Sequence, residues 1–300
     1  MLRKPLVSVI MPIYNGSRFM GKAIDSILAQ TYHNFELIVV DDGSTDTTLS
    51  ILKNYKKNYP NKIRLFCHSK NIGAFAATNL GFTHAKGVYI GLMDCDDISN
   101  PSRLEKEVTF LQNHPDVILV GTQAKIIDDK GKITGQKIYP NDHEEIYKAF
   151  AWINPIVHPS AMINRALLPK NNYLYHTNFG VNSDYYSFFE WLNYGKFANL
   201  PEFLLSYRVH GGNSSLQNLK QRFYTITKIR LAAVKHLNYR FPSSAILKFI
   251  TQHVLVSLLP ERLLLPLYLT LRGMRKVKLP NIFKISRNMR QLKRYALSTN

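Results

Sequence analysis

Three carboxylates fall within four residues at Asp94-Cys95-Asp96-Asp97, directly after the apolar run Val88-Tyr89-Ile90-Gly91-Leu92-Met93. Like charges this close repel, and the end of a buried strand is a costly place to keep them. Hard carboxylate oxygens suit Mn2+ or Mg2+, so a divalent cation resolves the conflict; solvated acids in a polar loop are the alternative. On extended backbone, Asp94 and Asp96 at i and i+2 point the same way and converge on one ion, while Cys95 faces away. Further residues with chemical potential are the acids of Asp41-Asp42-Gly43-Ser44, the Tyr14-Asn15-Gly16 turn, His158, Asp184 and the Tyr207-Arg208-Val209-His210 run.

The elements that position these residues alternate. Strand-like runs at residues 7–14, 36–40, 63–67 and 88–93 are separated by helical patterns at residues 19–30, 47–59 and 71–85. Such short apolar strands, lacking polar alternation, are buried on both faces, which predicts an α/β fold with a mostly parallel sheet flanked by helices. Ligands of such sheets lie beyond the carboxyl ends of the strands, and Tyr14, Asp41-Asp42 and Asp94–Asp97 all fall there. Further on, Asn100 and Pro101 open a helix. Strands follow at 117–127 and 132–139, then a helix after Asp142 with Glu145 in capping-box position. A strand at 157–163, a helix after Asn182-Ser183-Asp184 and a strand at 204–210 complete this part, and the last strand runs into Gly211-Gly212, hinge-like residues suited to a lid. Residues 217–238 read as one basic helix. Residues 245–271 are apolar but interrupted by Pro260, Glu261, Arg262 and Pro266, short of the roughly 18–20 unbroken residues of a spanning helix. The expected division is a catalytic domain over 1–215, with a nucleotide-binding half (1–100) and an acceptor half (101–215), and a basic, leucine-rich helical extension over 216–300.

Composition sets limits. A 45% hydrophobic, 12% aromatic chain of 300 residues has a core and is not disordered by default. Two cysteines, Cys67 and Cys95, exclude a disulfide scaffold and suit a reducing compartment, and the start at Met-Leu-Arg-Lys-Pro has no apolar leader, so a cytoplasmic location is expected. The net charge of +19 is unevenly placed: residues 203–300 carry eighteen Lys and Arg against one acid, Glu261. That asymmetry points to an anionic partner for the tail. Two readings of 216–300 stand: amphipathic helices on an anionic membrane surface at the inner face of the cell membrane, or apolar residues packed on the catalytic domain beneath a solvated charged face. A nucleic-acid partner is not expected, because the basic residues accompany leucine runs and no helix-turn-helix, RNA-recognition or zinc pattern.

Taken in order, Val7-Ser8-Val9-Ile10-Met11-Pro12-Ile13-Tyr14-Asn15, Ser26 to Tyr32, Asp41-Asp42-Gly43-Ser44, Asp94-Cys95-Asp96-Asp97, Asp97 to Leu104 and Tyr207-Arg208-Val209-His210 give a sequence that resembles the family 2 glycosyltransferases, inverting enzymes of GT-A fold, over about Val7 to Ser215. The resemblance implies a nucleotide-diphosphate-sugar donor, UDP-sugar favoured, and a hydroxyl acceptor on a saccharide or lipid-linked polysaccharide precursor. It implies that Asp42, with Asp41 beside it, accepts a hydrogen bond from the base in a pocket lined by Pro12 and Tyr14. Asp96 then holds the metal, with Asp94 next as ligand or ribose contact. Asp184 becomes the general base, although Ser183-Asp184 stands where the family usually has Glu-Asp. His210 is a metal ligand, Arg208 a phosphate or structural partner, and His158 an acceptor-side residue. Thr78 stands where many relatives have an arginine. Helix capping competes for Asp41, Asp42, Asp97 and Asp184, and simple packing for Tyr14 and His158. A nucleotidyltransferase of similar fold is the alternative activity, but the glycine-rich basic loop such enzymes carry near the N-terminus is poorly matched by Asn15-Gly16-Ser17-Arg18.

Overall fold

The structure, a computed structural model, describes residues 4–213, 216–260, 263–264 and 266–268. Its first half alternates strand and helix: β1 (Val7–Ile13), α1 (Met20–Leu28), β2 (Phe35–Asp41), α2 (Thr48–Asn58), β3 (Ile63–Cys67), α3 (Ala74–His84) and β4 (Tyr89–Leu92). Every residue of β2 is buried, and in β1 only Pro12 is not, as continuous apolar runs in central parallel strands require. Their side chains alternate between two core clusters. Val7, Val9, Met11 and Ile13 join one face with Leu37 and Val39, while Ile10 joins the other with Ile38 and Val40. α1 covers the first face through Met20, Ala23, Ile24 and Ile27, spaced as one stripe of a helix.

The second half adds β5 (Ile98–Ser99), α4 (Arg103–Asn113), β6 (Val117–Ile127), β7 (Ile133–Lys137), α5 (His143–Ala149), β8 (Met162–Asn164), α6 (Ser183–Trp191), β9 (Lys196–Arg208), α7 (Leu219–His236) and α8 (Ser243–Leu258). One mixed sheet results, in the order β3-β2-β1-β4-β8-β6-β9-β5, with β7 on β6. The parallel arrangement holds over β3-β2-β1-β4. Beyond β4 the sheet is mixed, because β8 runs antiparallel to both β4 and β6 whereas β9 is parallel to β6. β9 starts at Lys196, eight residues before the strand expected there, and its register on β6 slips where Pro201 interrupts the ladder.

The C-terminal helices differ from one another. α7 buries Ile229 and Ala233 in the cluster that holds Phe188 and Phe189 of α6. α8 buries Ala245 alone and exposes Leu247, Ile250, Val254 and Leu258, spaced along one face. No helix among the described residues is long and apolar enough to cross a membrane. The run of basic residues from Arg272 onward lies outside the described residues.

Candidate active site

Pairing explains how residues a hundred positions apart meet. β5 follows the Asp94–Asp97 turn and pairs with β9 at Ile98↔Ser206 and Ser99↔Leu205. Arg208 and His210, two and four residues past Ser206, therefore arrive at the acidic turn. The backbone N–H of Arg208 donates to Asp97 Oδ1 at 2.7 Å, and His210 Nε2 lies 2.9 Å from Asp96 Oδ2. The Gly212 N–H donates to His210 Nδ1 at 3.1 Å, so the neutral ring carries its proton on Nε2 and donates to Asp96. Asn213 Nδ2 donates to the same oxygen at 3.2 Å.

Asp94 and Asp96 sit in a turn rather than on extended backbone, since β4 ends at Leu92. The carboxylates converge all the same: one oxygen from each of Asp94, Asp96 and Asp97 lies within 4.8 Å of the others. Asp97 Oδ2 is buried without a partner. Burial first, and then the neighbouring carboxylates, push Asp97 well above the usual carboxylate range. Asp94 is pushed up to about 6, mainly by burial, with His158 opposing and Asp96 and Asp184 reinforcing the shift. An all-oxygen set with an orphaned buried acceptor fits a hard divalent cation. His210 is outside that convergent set; its place here is the hydrogen bond to Asp96. Cys95 packs against the Asn15-Gly16 turn, where a Cβ on Gly16 would stand 3.2 Å from its sulfur.

Of the two roles open to Arg208, phosphate or structural partner, its contacts within the chain are of the structural kind. The side chain is 2% exposed; Nε donates to Asp96 O and Nη1 to Asp128 O, at 2.7 and 2.8 Å. It fastens the acidic turn to the β6–β7 hairpin, the structural role that was its alternative.

A cavity of about 1300 Å3 opens beside the acidic turn. Pro12 and Tyr14 line it at the end of β1, as do Asp94, Asp96, His158, Asp184 and His210. Tyr14 is 47% exposed. Asp41 and Asp42 are not in its lining. Asp42 is 1% exposed, and its carboxylate accepts from His68 Nδ1 at 2.8 Å, Ile72 N at 3.1 Å and Gly73 N at 2.8 Å. In this arrangement it fixes the loop whose Ile72 and Gly73 form part of the cavity wall. Gly43 allows this loop to approach: it has φ +71°, and a Cβ there would meet Lys70 backbone at 2.5 Å. Asp41 Oδ1 is buried with no partner.

Across the cavity, Asp184 lies in the first turn of α6 and accepts from Asn154 Nδ2 at 2.9 Å. Asn154 Oδ1 accepts from the Ile156 N–H, which sets the amide's orientation. Burial pushes Asp184 up to about 6, opposed by Arg222 and Asn154 among others. A carboxylate so raised is a competent proton acceptor near neutral pH. His158 is held by Tyr175, whose hydroxyl is 3.1 Å from Nε2, amid the rings of Phe75 and Phe188; burial lowers its pKa, so the ring is neutral.

The sequence did not reveal Asn154, Lys137, Arg222 or Arg230, all in the cavity lining. Asn154-Pro155 read only as a break, and nothing local marks a lysine on β7 or two arginines of a basic helix as facing a cavity.

Comparison with known proteins agrees with this geometry. The profile of the family described as Glycosyl transferase family 2 matches residues 8–171. The O-antigen biosynthesis glycosyltransferase WbnJ of Escherichia coli is 32% identical over 228 residues, covering 73% of this chain and 85% of its own. Among solved structures, TarS 1-349 of S. aureus in complex with UDP-GlcNAc superposes with TM-score 0.62 at 22% identity, over 82% of this chain and 72% of that one. The mannosyltransferase PcManGT of Pyrobaculum calidifontis, in complex with GDP-Man and Mn2+, gives 0.57 at 20% identity, over 88% and 84%. Mixed sheet, acidic turn and facing carboxylate thus accompany a family match over more than half the sequence: the chain belongs to glycosyltransferase family 2.

Proposed function

We propose that this glycosyltransferase moves a sugar, with inversion, from a UDP-sugar to a hydroxyl group of a growing polysaccharide precursor. The observation that carries the reading is the placement of Asp184 and the Asp94–Asp97 turn on the lining of one cavity. In this reading the base stacks at Tyr14 and lies against Ile72–Gly73, in a pocket whose shape Asp42 maintains. Asp96 and Asp94 hold Mn2+ or Mg2+, with His210 and Asn213 orienting Asp96. The bound ion supplies positive charge to the departing diphosphate. Asp184 accepts the proton of the acceptor hydroxyl as its oxygen bonds to the anomeric carbon and the bond to the diphosphate oxygen breaks. Asn154 orients the carboxylate for that transfer. His158, neutral and fixed by Tyr175, lies on the acceptor side.

The relative WbnJ acts in O-antigen biosynthesis, which supports a polysaccharide acceptor. TarS was solved with UDP-GlcNAc, which supports a uridine donor. The exposed apolar face of α8, on a basic C-terminal region, supports peripheral attachment at the inner face of the cell membrane.

A thermal-shift screen of nucleotide sugars with and without Mn2+ tests the donor. Bound ligand at a hundred times its Kd stabilises by about 2.7 kcal/mol. A UDP-sugar should raise Tm only when the ion is present. Stabilisation by a nucleoside triphosphate, with diphosphate release on adding a sugar phosphate, would instead favour the nucleotidyltransferase.

A further inference from the structure

Two buried arginines grip the acidic turn, one at each end. Arg208 takes the carbonyl of Asp96 at the far end. At the near end Arg103, the first residue of α4, is fully buried. Its Nη2 donates to Leu92 O at 3.2 Å and its Nη1 to Pro159 O at 2.7 Å. Leu92 ends β4, two residues before Asp94, and Pro159 directly follows His158. Asp94 and His158 both line the cavity, and His158 favours the charged form of Asp94.

The pairing of β4 with β8 runs to Gly91↔Met162, followed by the bond from the Leu92 N–H to Ala161 O. Leu92 O and Pro159 O lie past that point, and two carbonyls cannot bond to each other. A planar guanidinium, with its N–H groups in a fixed fork, bridges them; a lysine ammonium is a single point on a flexible stem. The bridge is expensive. Glu107, one turn along α4, stands 3.8 Å from Arg103 Nε, yet Nε and both Glu107 carboxylate oxygens are buried without a hydrogen-bond partner among the described residues. Burial pushes Glu107 up to about 8, with Arg103 opposing. Burial also works against the charge of Arg103, which Glu107 and then Asp97 favour. For stability alone, an apolar pair of similar size serves as well or better.

We propose that Arg103 is a positioning residue of the metal site: its fork sets the start of the acidic turn against His158, so that the carboxylates of the turn converge on one ion. The proposal rests on the reading of that turn as the cation and diphosphate site. Its sign is opposite to that of charge alone, because a cation close to the carboxylates repels a second cation.

Calorimetric titration of UDP into the full chain, with Mn2+ and with a chelator, tests this. Mn2+ should tighten UDP binding to wild type about 100-fold. Arg103→Met/Glu107→Met replaces the pair by apolar side chains of similar size, so it should melt within about 5 °C of wild type. Its Mn2+-dependent gain should nonetheless fall about tenfold or more, with UDP affinity in the chelator unchanged. Arg103→Lys keeps the charge without the fork and should lose about threefold or more of the gain, which decides the matter if the double variant does not fold. An undiminished gain in the folded variants would overturn the proposal, and so would a larger one, the result of removing a mere neighbouring cation. UDP affinity lost equally in the chelator would overturn it as well, as general damage to the site. A wild-type chain with no Mn2+ gain would remove the metal reading and this proposal with it, whereas a wild-type gain that the variants leave intact removes this proposal alone.

Discussion

At the end of the cavity proposed for the donor, loops are fastened through backbone amides; at the end proposed for the acceptor, single side chains hold one another. Around Tyr14, the Asn15 N–H donates to Ser44 Oγ, the Thr45 N–H to Asn15 Oδ1 and the Gly16 N–H to Thr48 Oγ1, while Asp42 gathers the amides of Ile72 and Gly73. Around Asp184 the contacts run Asn154 to Asp184, Arg222 to Asn182 and Arg230 to Tyr185, between side chains 30 to 45 residues apart. An amide-held loop keeps its shape whatever the outward side chains are, which suits a nucleotide common to many donors. A wall of individual side chains is altered one residue at a time, which suits selection of one particular acceptor. If the comparison is sound, damage at the donor end lowers affinity, and damage at the acceptor end lowers turnover with donor affinity kept.

The largest effect is expected at Asp184. Asp184→Asn should reduce kcat by about 10^2 to 10^4, the usual contribution of a general base, with UDP affinity unchanged. Steady-state kinetics with a UDP-sugar check this, and a parallel loss of UDP affinity would erase the distinction between the two ends. Asp96→Ala should weaken Mn2+-dependent UDP binding by about 100-fold, as loss of a ligand held by two hydrogen bonds implies. Circular dichroism should show the fold intact.

Arg208→Gln separates fastening from phosphate recognition. Several backbone carbonyls lose a buried donor, so denaturant titration should show a loss of about 2–4 kcal/mol. Unchanged stability with weaker UDP binding would restore the phosphate role.

The smallest effect concerns pH. The base works unprotonated, and burial raises its pKa to about 6, so kcat/KM should fall about tenfold per unit as pH drops below about 6. Asn154 stabilises the charged carboxylate, so Asn154→Ala should move that limb upward by less than about 1 unit. A downward shift in the pH–rate profile would show that Asn154 does not hold the carboxylate.

Much of the donor half was legible because its signals are local. The apolar run at Val7 became β1, and Asp142 accepts from Glu145 N in the capping arrangement its spacing suggested. The strand ends placed Tyr14 and the acidic turn at one cavity. Three features were not legible. The mixed second half depends on which strands β8 and β9 choose as partners, and no run of residues encodes that choice. The amides that Asp42 accepts from lie thirty residues on, and its sequence neighbours give no hint of them. Arg230 looked like one more surface charge of a basic helix; only the packing of α7 on α6 shows that it is buried.

Isothermal titration of UDP into wild type and Asp96→Ala, each with Mn2+ and with a chelator, tests the central claim most directly. Wild type should bind UDP with Mn2+ about 100-fold more tightly than with the chelator, as expected if Asp96 and Asp94 hold the ion that neutralises the diphosphate, and Asp96→Ala should show no such gain. Equal UDP binding in all four titrations would contradict the assignment of the Asp94–Asp97 turn as the metal and diphosphate site.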